Sequence, residues 1–138
     1  MNAENNLPEL VTAWAGAWTG TDPNALAALF TPDATYTDQA IGVTMTGREQ
    51  IAGWKARTDA VMDGVGITIS GAHRDDCRIR VEGVYSGHLK GAPTPFAVPI
   101  VTLLDVSGDQ ISGDRDFYDL ADVLAQSGLP ADWKPADA

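Results

Sequence analysis

Three aspartates and the chain's three tyrosines have the side-chain types and spacing to move a proton. Asp38 closes the run Leu29-Phe30-Thr31-Pro32-Asp33-Ala34-Thr35-Tyr36-Thr37-Asp38, in which Thr31-Pro32 breaks a short helix and a strand follows at once, Ala34 to about Asp38. That strand carries an acid to where an apolar cup is expected. Burial strips a carboxylate of water and raises its pKa, which makes it a candidate proton carrier. Strand parity supplies the second acid. Within Gln110 to Asp119 the residues Asp114, Asp116 and Tyr118 share one face, and Arg115 and Phe117 take the other. Asp116 is expected to point inward, and Asp38 with Asp116 can divide acid and base roles if their surroundings push their pKa values apart. The plainer alternative pairs these aspartates with Arg115 or has them cap turns.

Tyr85 belongs to the alternating set Ile79, Val81, Gly83, Tyr85 and Gly87. Gly83 next to a ring would leave room for a ligand, and the Tyr85 hydroxyl could donate to a developing oxyanion. A core tyrosine with a satisfied hydroxyl is the equal alternative. Trp14, Trp18 and Trp54 fall on the apolar faces of helices, where they either pack a core or line a cavity for a flat apolar ring system. If they line one, the Trp14 indole N–H could reach a substrate oxygen. His73 ends a strand beside Arg74-Asp75-Asp76, and His88 has outward parity. Both read as solvated or interface residues, and a turn would disperse His73, Asp75 and Asp76 too widely for a metal.

Composition narrows the partners. A formal net charge of −10 over 138 residues, with nine Lys and Arg in no run, repels phosphate backbones and anionic lipid, so neither nucleic acid nor membrane is expected. The first residues lack the basic start and apolar stretch of a secretion signal, and the cytoplasm is the expected compartment. Cys77 is the sole cysteine, which excludes an internal disulfide and a thiolate zinc site. No phosphate loop and no His-Glu-x-x-His is present, so no cofactor and no metal are expected.

The elements that must position these residues follow from periodicity. Leu7, Leu10, Val11, Trp14 and Trp18 give a first helix ending near Gly20. Asp22-Pro23 caps a second, whose Leu26, Leu29 and Phe30 face inward until Pro32. Thr46-Gly47-Arg48-Glu49 reads as a capping box opening a third, which buries Ile51, Trp54, Thr58, Val61 and Met62 and closes at Gly64. The period then becomes two, with strands at Gly66 to His73, Arg78 to His88, Phe96 to Val106 and Gln110 to Asp119. This is α+β: three N-terminal helices packed on a curved, mixed, mostly antiparallel sheet, in one domain over 7–130 with flexible tails at 1–6 and 131–138. The strand Phe96 to Leu104 is apolar on both faces, so a homodimer through the outer sheet face is expected to cover it.

The order of these elements, with Leu29 to Asp38 and the segment Gly108-Asp109-Gln110-Ile111-Ser112-Gly113-Asp114-Arg115-Asp116-Phe117-Tyr118-Asp119-Leu120, resembles the nuclear transport factor 2-like cone fold. The similarity is to its SnoaL-like polyketide cyclase, ketosteroid isomerase and limonene epoxide hydrolase branches. The ketosteroid isomerase resemblance implies that Asp38 is the base removing a proton beside a carbonyl; that family's oxyanion-hole positions hold Trp14 and Val101 here, so the steroid-isomerase oxyanion hole is missing. The epoxide hydrolase resemblance implies that Asp116 activates water with Tyr36 positioning it, while that family's middle-strand Arg and Asp are replaced by Gly83 and Tyr85. The histidine that polyketide cyclases carry near Tyr85 is absent.

The resulting expectation is a cofactor-independent enzyme, an isomerase, cyclase or hydrolase, acting on a small apolar substrate. Its catalytic set is Asp38, Asp116, Tyr36 and Tyr85, and its substrate contacts are Trp14, Trp18, Trp54, Val101, Asp114 and Tyr118. The alternatives are an epoxide hydrolase with Asp116 as base, and a non-catalytic module for ligand binding or dimerisation.

Overall fold

The structure, a computed structural model, describes residues 7–135. Helix α1 (Glu9–Thr19) buries Val11, Trp14, Ala15 and Trp18 on one face. Positions spaced three and four apart on a helix share a side, so this stripe meets the sheet as a unit. α2 (Pro23–Ala27) begins as the sequence predicts, with the Asp22 carboxylate accepting the Asn24 N–H at 3.0 Å and proline in the first turn. It is shorter than predicted. Phe30 opens strand β1 (Phe30–Asp38), and Pro32 sits inside that strand at the irregularity between Phe30 and Thr35, where no ladder bond is asked of its missing N–H.

A hairpin the periodicity did not reveal follows, β2 (Val43–Thr46) antiparallel to β1. It draws Thr46 into the sheet opposite Thr35, so the capping box does not form. Helix α3 (Arg48–Val61) is instead capped by Gly47, whose φ of 86° favours glycine, and the Thr46 N–H donates to the Gln50 side chain at 2.8 Å. α3 also ends earlier than predicted. Gly64 lies in the register irregularity near the start of β3 (Met62–Asp75).

β3, β4 (Arg78–Leu89), β5 (Phe96–Ser107) and β6 (Gln110–Phe117) run as an antiparallel meander, and β6 returns to pair parallel with β1. The six-stranded sheet has the order β2-β1-β6-β5-β4-β3. It is mixed and curved, with four helices among the described residues. The three expected helices are interleaved with β1 and β2, and a fourth, α4 (Leu120–Ser127), follows β6. The predicted last strand stops short of Asp119 because that carboxylate accepts the Asp122 N–H and starts α4. Leu120 is half-buried and Val123 and Leu124 are buried against the core; this short helix was not read from the sequence.

The core lies between the helices and the inner sheet face. It holds Trp14, Trp18, Leu26, Phe30, Tyr36, Ile51, Ile79, Val98, Leu104 and Ile111, and each fully buried large side chain contributes about 1.5–3 kcal/mol. Lys55 is wholly buried within it. Its ammonium donates to the Trp18 and Gly20 carbonyls at 2.7 Å each and to Asp59 at 2.8 Å, so a cation satisfies the open C-terminal end of α1. The expected tails fall outside the described residues at 1–6 and 136–138. Residues 131–135 are described, and Trp133 packs against the core.

Candidate active site

The parallel pairing of β1 with β6 assembles the acids. Its register sets Tyr36 beside Asp114 and Asp38 beside Asp116, and the pleat turns all four to the inner face. Residues some 80 positions apart thus become neighbours through one strand pairing.

Each acid has its own partners. Asp116 accepts the Tyr36 hydroxyl at one oxygen and the Thr102 hydroxyl at the other, the latter at 2.7 Å. Asp38 accepts the Tyr118 hydroxyl at 2.8 Å and the Ile41 N–H at 2.9 Å. Asp114 Oδ2 accepts the Trp14 indole N–H at 2.9 Å, and its Oδ1 is buried with no donor directed to it among the described residues. Exposure orders them: Asp38 retains 5% and Asp116 6%, whereas Asp114 at 1% lies behind them. Tyr85 and Tyr118 meet edge to face at 5.1 Å and are only half-buried, so they form the rim of the cluster.

Burial raises the pKa of all three acids. For Asp38 the Ile41 N–H and the Tyr118 hydroxyl oppose the rise, and the Asp116 charge adds to it. Asp114 is pushed well up by burial and then by the Asp116 charge, with Trp14 pulling the other way. Asp116 rises by burial, and the Tyr36 and Thr102 hydroxyls and the neighbouring Asp114 oppose the rise. Burial and the adjoining carboxylates raise Tyr36, Tyr85 and Tyr118 as well, so these hydroxyls are donors at neutral pH. The arrangement can accept a proton from a guest and return it.

A family model described as the SnoaL-like domain matches residues 11–113. The chain belongs to the SnoaL-like family. Comparison with curated proteins gives no match. Among solved structures, this SnoaL-like chain is similar to a protein with a ketosteroid isomerase-like fold from Catenulispora acidiphila DSM 44928, solved in complex with trimethylamine. The two are 64% identical, with a TM-score of 0.92 over 93% of this chain and 98% of that one. A protein assigned as a SnoaL-like polyketide cyclase from Shewanella putrefaciens CN-32 is 18% identical, with a TM-score of 0.77 over 93% and 98% of the two chains. An LEH-like epoxide hydrolase from M. tuberculosis is also 18% identical, with a TM-score of 0.72 over 85% of each. The last two likenesses concern the fold.

Within the SnoaL-like chain the sequence-predicted residues separate into three groups. Asp38, Asp116, Tyr36, Asp114, Tyr118 and Trp14 come together, with Trp18 against Tyr36 at 6.0 Å and Tyr85 on the rim. The plainer alternative, pairing with Arg115, is not made: among the described residues the ion pairs are Lys55–Asp59 and Arg78–Asp105, and no three acidic, His or Cys side chains are grouped to hold a metal. Trp14 is spent on Asp114, so its N–H is not free for a substrate oxygen. Tyr85 donates weakly to the Met62 sulfur at 3.5 Å.

Two predicted contacts lie elsewhere. Val101 has outward parity on β5, opposite Phe117, so it cannot touch a guest beside Asp116; Thr102 holds the inward place. Trp54 is half-buried under the Arg57 guanidinium, 5.6 Å from its ring, and among the described residues it makes no hydrogen bond to the acids. Gly83 makes no room for a ligand either. A Cβ there would overlap the Thr68 carbonyl oxygen, because β3 bulges toward it between Ile69 and Gly71. Sequence reading passed over Thr102, whose signal was a lone hydroxyl at inward parity among Val98, Ile100 and Leu104. The cavities found outside the cluster, of about 520 Å³ between α2 and α3 and about 320 Å³ beside Ser86 and Phe96, do not border the acids.

Proposed function

We propose that this SnoaL-like chain is a cofactor-independent enzyme that moves protons on a small, apolar, cyclic substrate, with Asp38 and Asp116 as the acid and base. The observation that carries this reading is the side-by-side register of the two acids, each holding a tyrosine hydroxyl and each retaining slight exposure. The guest enters past the half-buried rings of Tyr85 and Tyr118, and Trp18 and Phe96 supply apolar surroundings. In the isomerase form a carboxylate takes a proton from carbon beside a carbonyl and returns it at another carbon, leaving the enzyme unchanged. In the hydrolase form Asp116 takes a proton from a water held by Tyr36, the water oxygen bonds to an epoxide carbon as that carbon's ring C–O bond breaks, neutral Asp38 protonates the alkoxide, and return of the proton from Asp116 to Asp38 restores the pair. A panel of flat ketones and epoxides in D2O and in 18O-labelled water tests both: deuterium on carbon reports the first, a labelled diol the second. No label in any compound contradicts the enzyme reading.

A binding role is the second reading, favoured by one finding. The 64% identical relative was solved with trimethylamine. Carried to this chain, acids that among the described residues have no basic partner and lie among aromatic rings suit a small ammonium guest, which gains charge attraction and a ring face together. Calorimetric titration with trimethylammonium chloride against tert-butanol, a neutral molecule of similar shape, tests it: binding of the cation alone supports it, and equal or absent binding contradicts it.

The same proposal takes the cytoplasm as compartment, neither nucleic acid nor membrane as partner, and a second copy of the chain over the outer sheet face. Among the described residues no helix is long and apolar enough to cross a membrane. Val84 and Phe117 are each 39% exposed on the outer face, with Pro99 and Val101 beside them in register. Sedimentation of Phe117→Asp beside the parent chain tests the dimer, which that charge should disperse.

A further inference from the structure

We propose that Asp114 is the site's resident proton holder, a neutral carboxylic acid that donates from Oδ1 to Asp116, so that the two β6 acids share one negative charge. This deepens the acid–base reading of the same site, on which it rests for its meaning but not for its test. The argument starts at Trp14. An indole N–H can only donate, so its 2.9 Å bond fixes Asp114 Oδ2 as the accepting oxygen. The other oxygen, Oδ1, is buried and receives no donor among the described residues. An ionised Asp114 would leave those lone pairs bare in the core, whereas a proton on Oδ1 turns the orphan into a donor.

Asp116 is the recipient. It stands two residues along the same strand face, and its oxygens already gather the Tyr36 and Thr102 hydroxyls, as an anion requires. The groups facing Asp114 agree. Asp116 on its own strand and Tyr36 and Asp38 on β1 are the titratable ones. α1 presents the Trp14 indole, and β5 presents Leu104 opposite and Thr102 beside it, none of which carries charge. Deep burial and the adjoining Asp116 charge also hold Asp114 above the ordinary carboxylate range. Asp114 is therefore a positioning residue, moved from the substrate contacts to the layer behind them. Its proton keeps Asp116 charged and ready as the base.

The test uses the ligand-free protein labelled with 13C at the aspartate side-chain carbonyl. NMR titration is expected to show one carboxyl still protonated at pH 7, and Asp114→Asn is expected to remove that resonance. The Asn carbonyl accepts from Trp14 and its amide donates to Asp116, so this variant copies the neutral acid: it should match the parent in folding equilibrium within about tenfold below pH ~3.9, where the acid is neutral folded and unfolded, and be the more stable of the two at pH 7. Ionisation of every carboxyl at pH 7, persistence of the protonated resonance in Asp114→Asn, or a greater loss of stability in that variant would overturn the proposal. None of these outcomes depends on turnover, so failure here is distinguishable from failure of the enzyme reading.

Discussion

Asp38 and Asp116 are register partners on the parallel strands β1 and β6, and each carboxylate holds the hydroxyl of a different tyrosine, Tyr118 and Tyr36. Two acids side by side in an apolar setting resist simultaneous ionisation, which is the property a proton-transfer pair needs.

The raised acids make folding stability depend on pH. Asp38, Asp114 and Asp116 bind protons more tightly folded than unfolded, so their stabilising contribution is complete below the unfolded aspartate range, near pH ~3.9, and is lost as pH rises through their folded pKa values. Denaturant midpoints are expected to fall from pH 5 to pH 8. Replacing any one of the three by Asn should flatten that slope; an unchanged slope in all three variants would contradict the assignment.

Tyr118→Phe removes a donor that holds the Asp38 pKa down. The Asp38 midpoint, followed by NMR, should move up, at a stability cost of about 1 kcal/mol for the lost hydrogen bond. A midpoint that fell or stayed in place would show that the hydroxyl does not act on Asp38.

Lys55 links α3 to the end of α1, the helix that carries Trp14. Lys55→Met keeps the stem and deletes the charge, leaving two carbonyls without their donor and Asp59 unpaired. Since Asp59 remains 24% exposed, the expected loss in urea unfolding is roughly 2–3 kcal/mol, below that of a fully buried pair. A loss under ~0.5 kcal/mol would mean that water replaces the ammonium.

Gly83→Ala places a methyl group on the Thr68 carbonyl at the β3 bulge. Thermal unfolding should show destabilisation of about 2 kcal/mol or more, because backbone must move. An alanine variant as stable as the parent would restore the idea that this glycine leaves open space.

Much of the fold and part of the site were legible in the sequence. Strand parity put Asp114 and Asp116 on one inward face because alternation is fixed by the pleat, and the Asp22-Pro23 cap located α2 because its chemistry is local. Thr46 misled because a four-residue strand drew the residue that a capping box needed. Val101 misled because its place came from a resemblance while its own parity on β5 points outward. Lys55 stayed hidden: helical spacing shows that it lies near Ile51 and Thr58, but not that the open end of another helix waits there for a cation. The Trp14–Asp114 bond spans 100 positions, a distance no local pattern encodes.

The measurement that tests the central claim most directly is the rate of solvent-label uptake into a turned-over ketone or epoxide by Asp38→Asn and Asp116→Asn beside the parent chain. Proton transfer by this pair predicts label uptake in the parent and a fall of about 10²-fold or more in at least one variant, with the folds intact. Equal rates in all three proteins would contradict it.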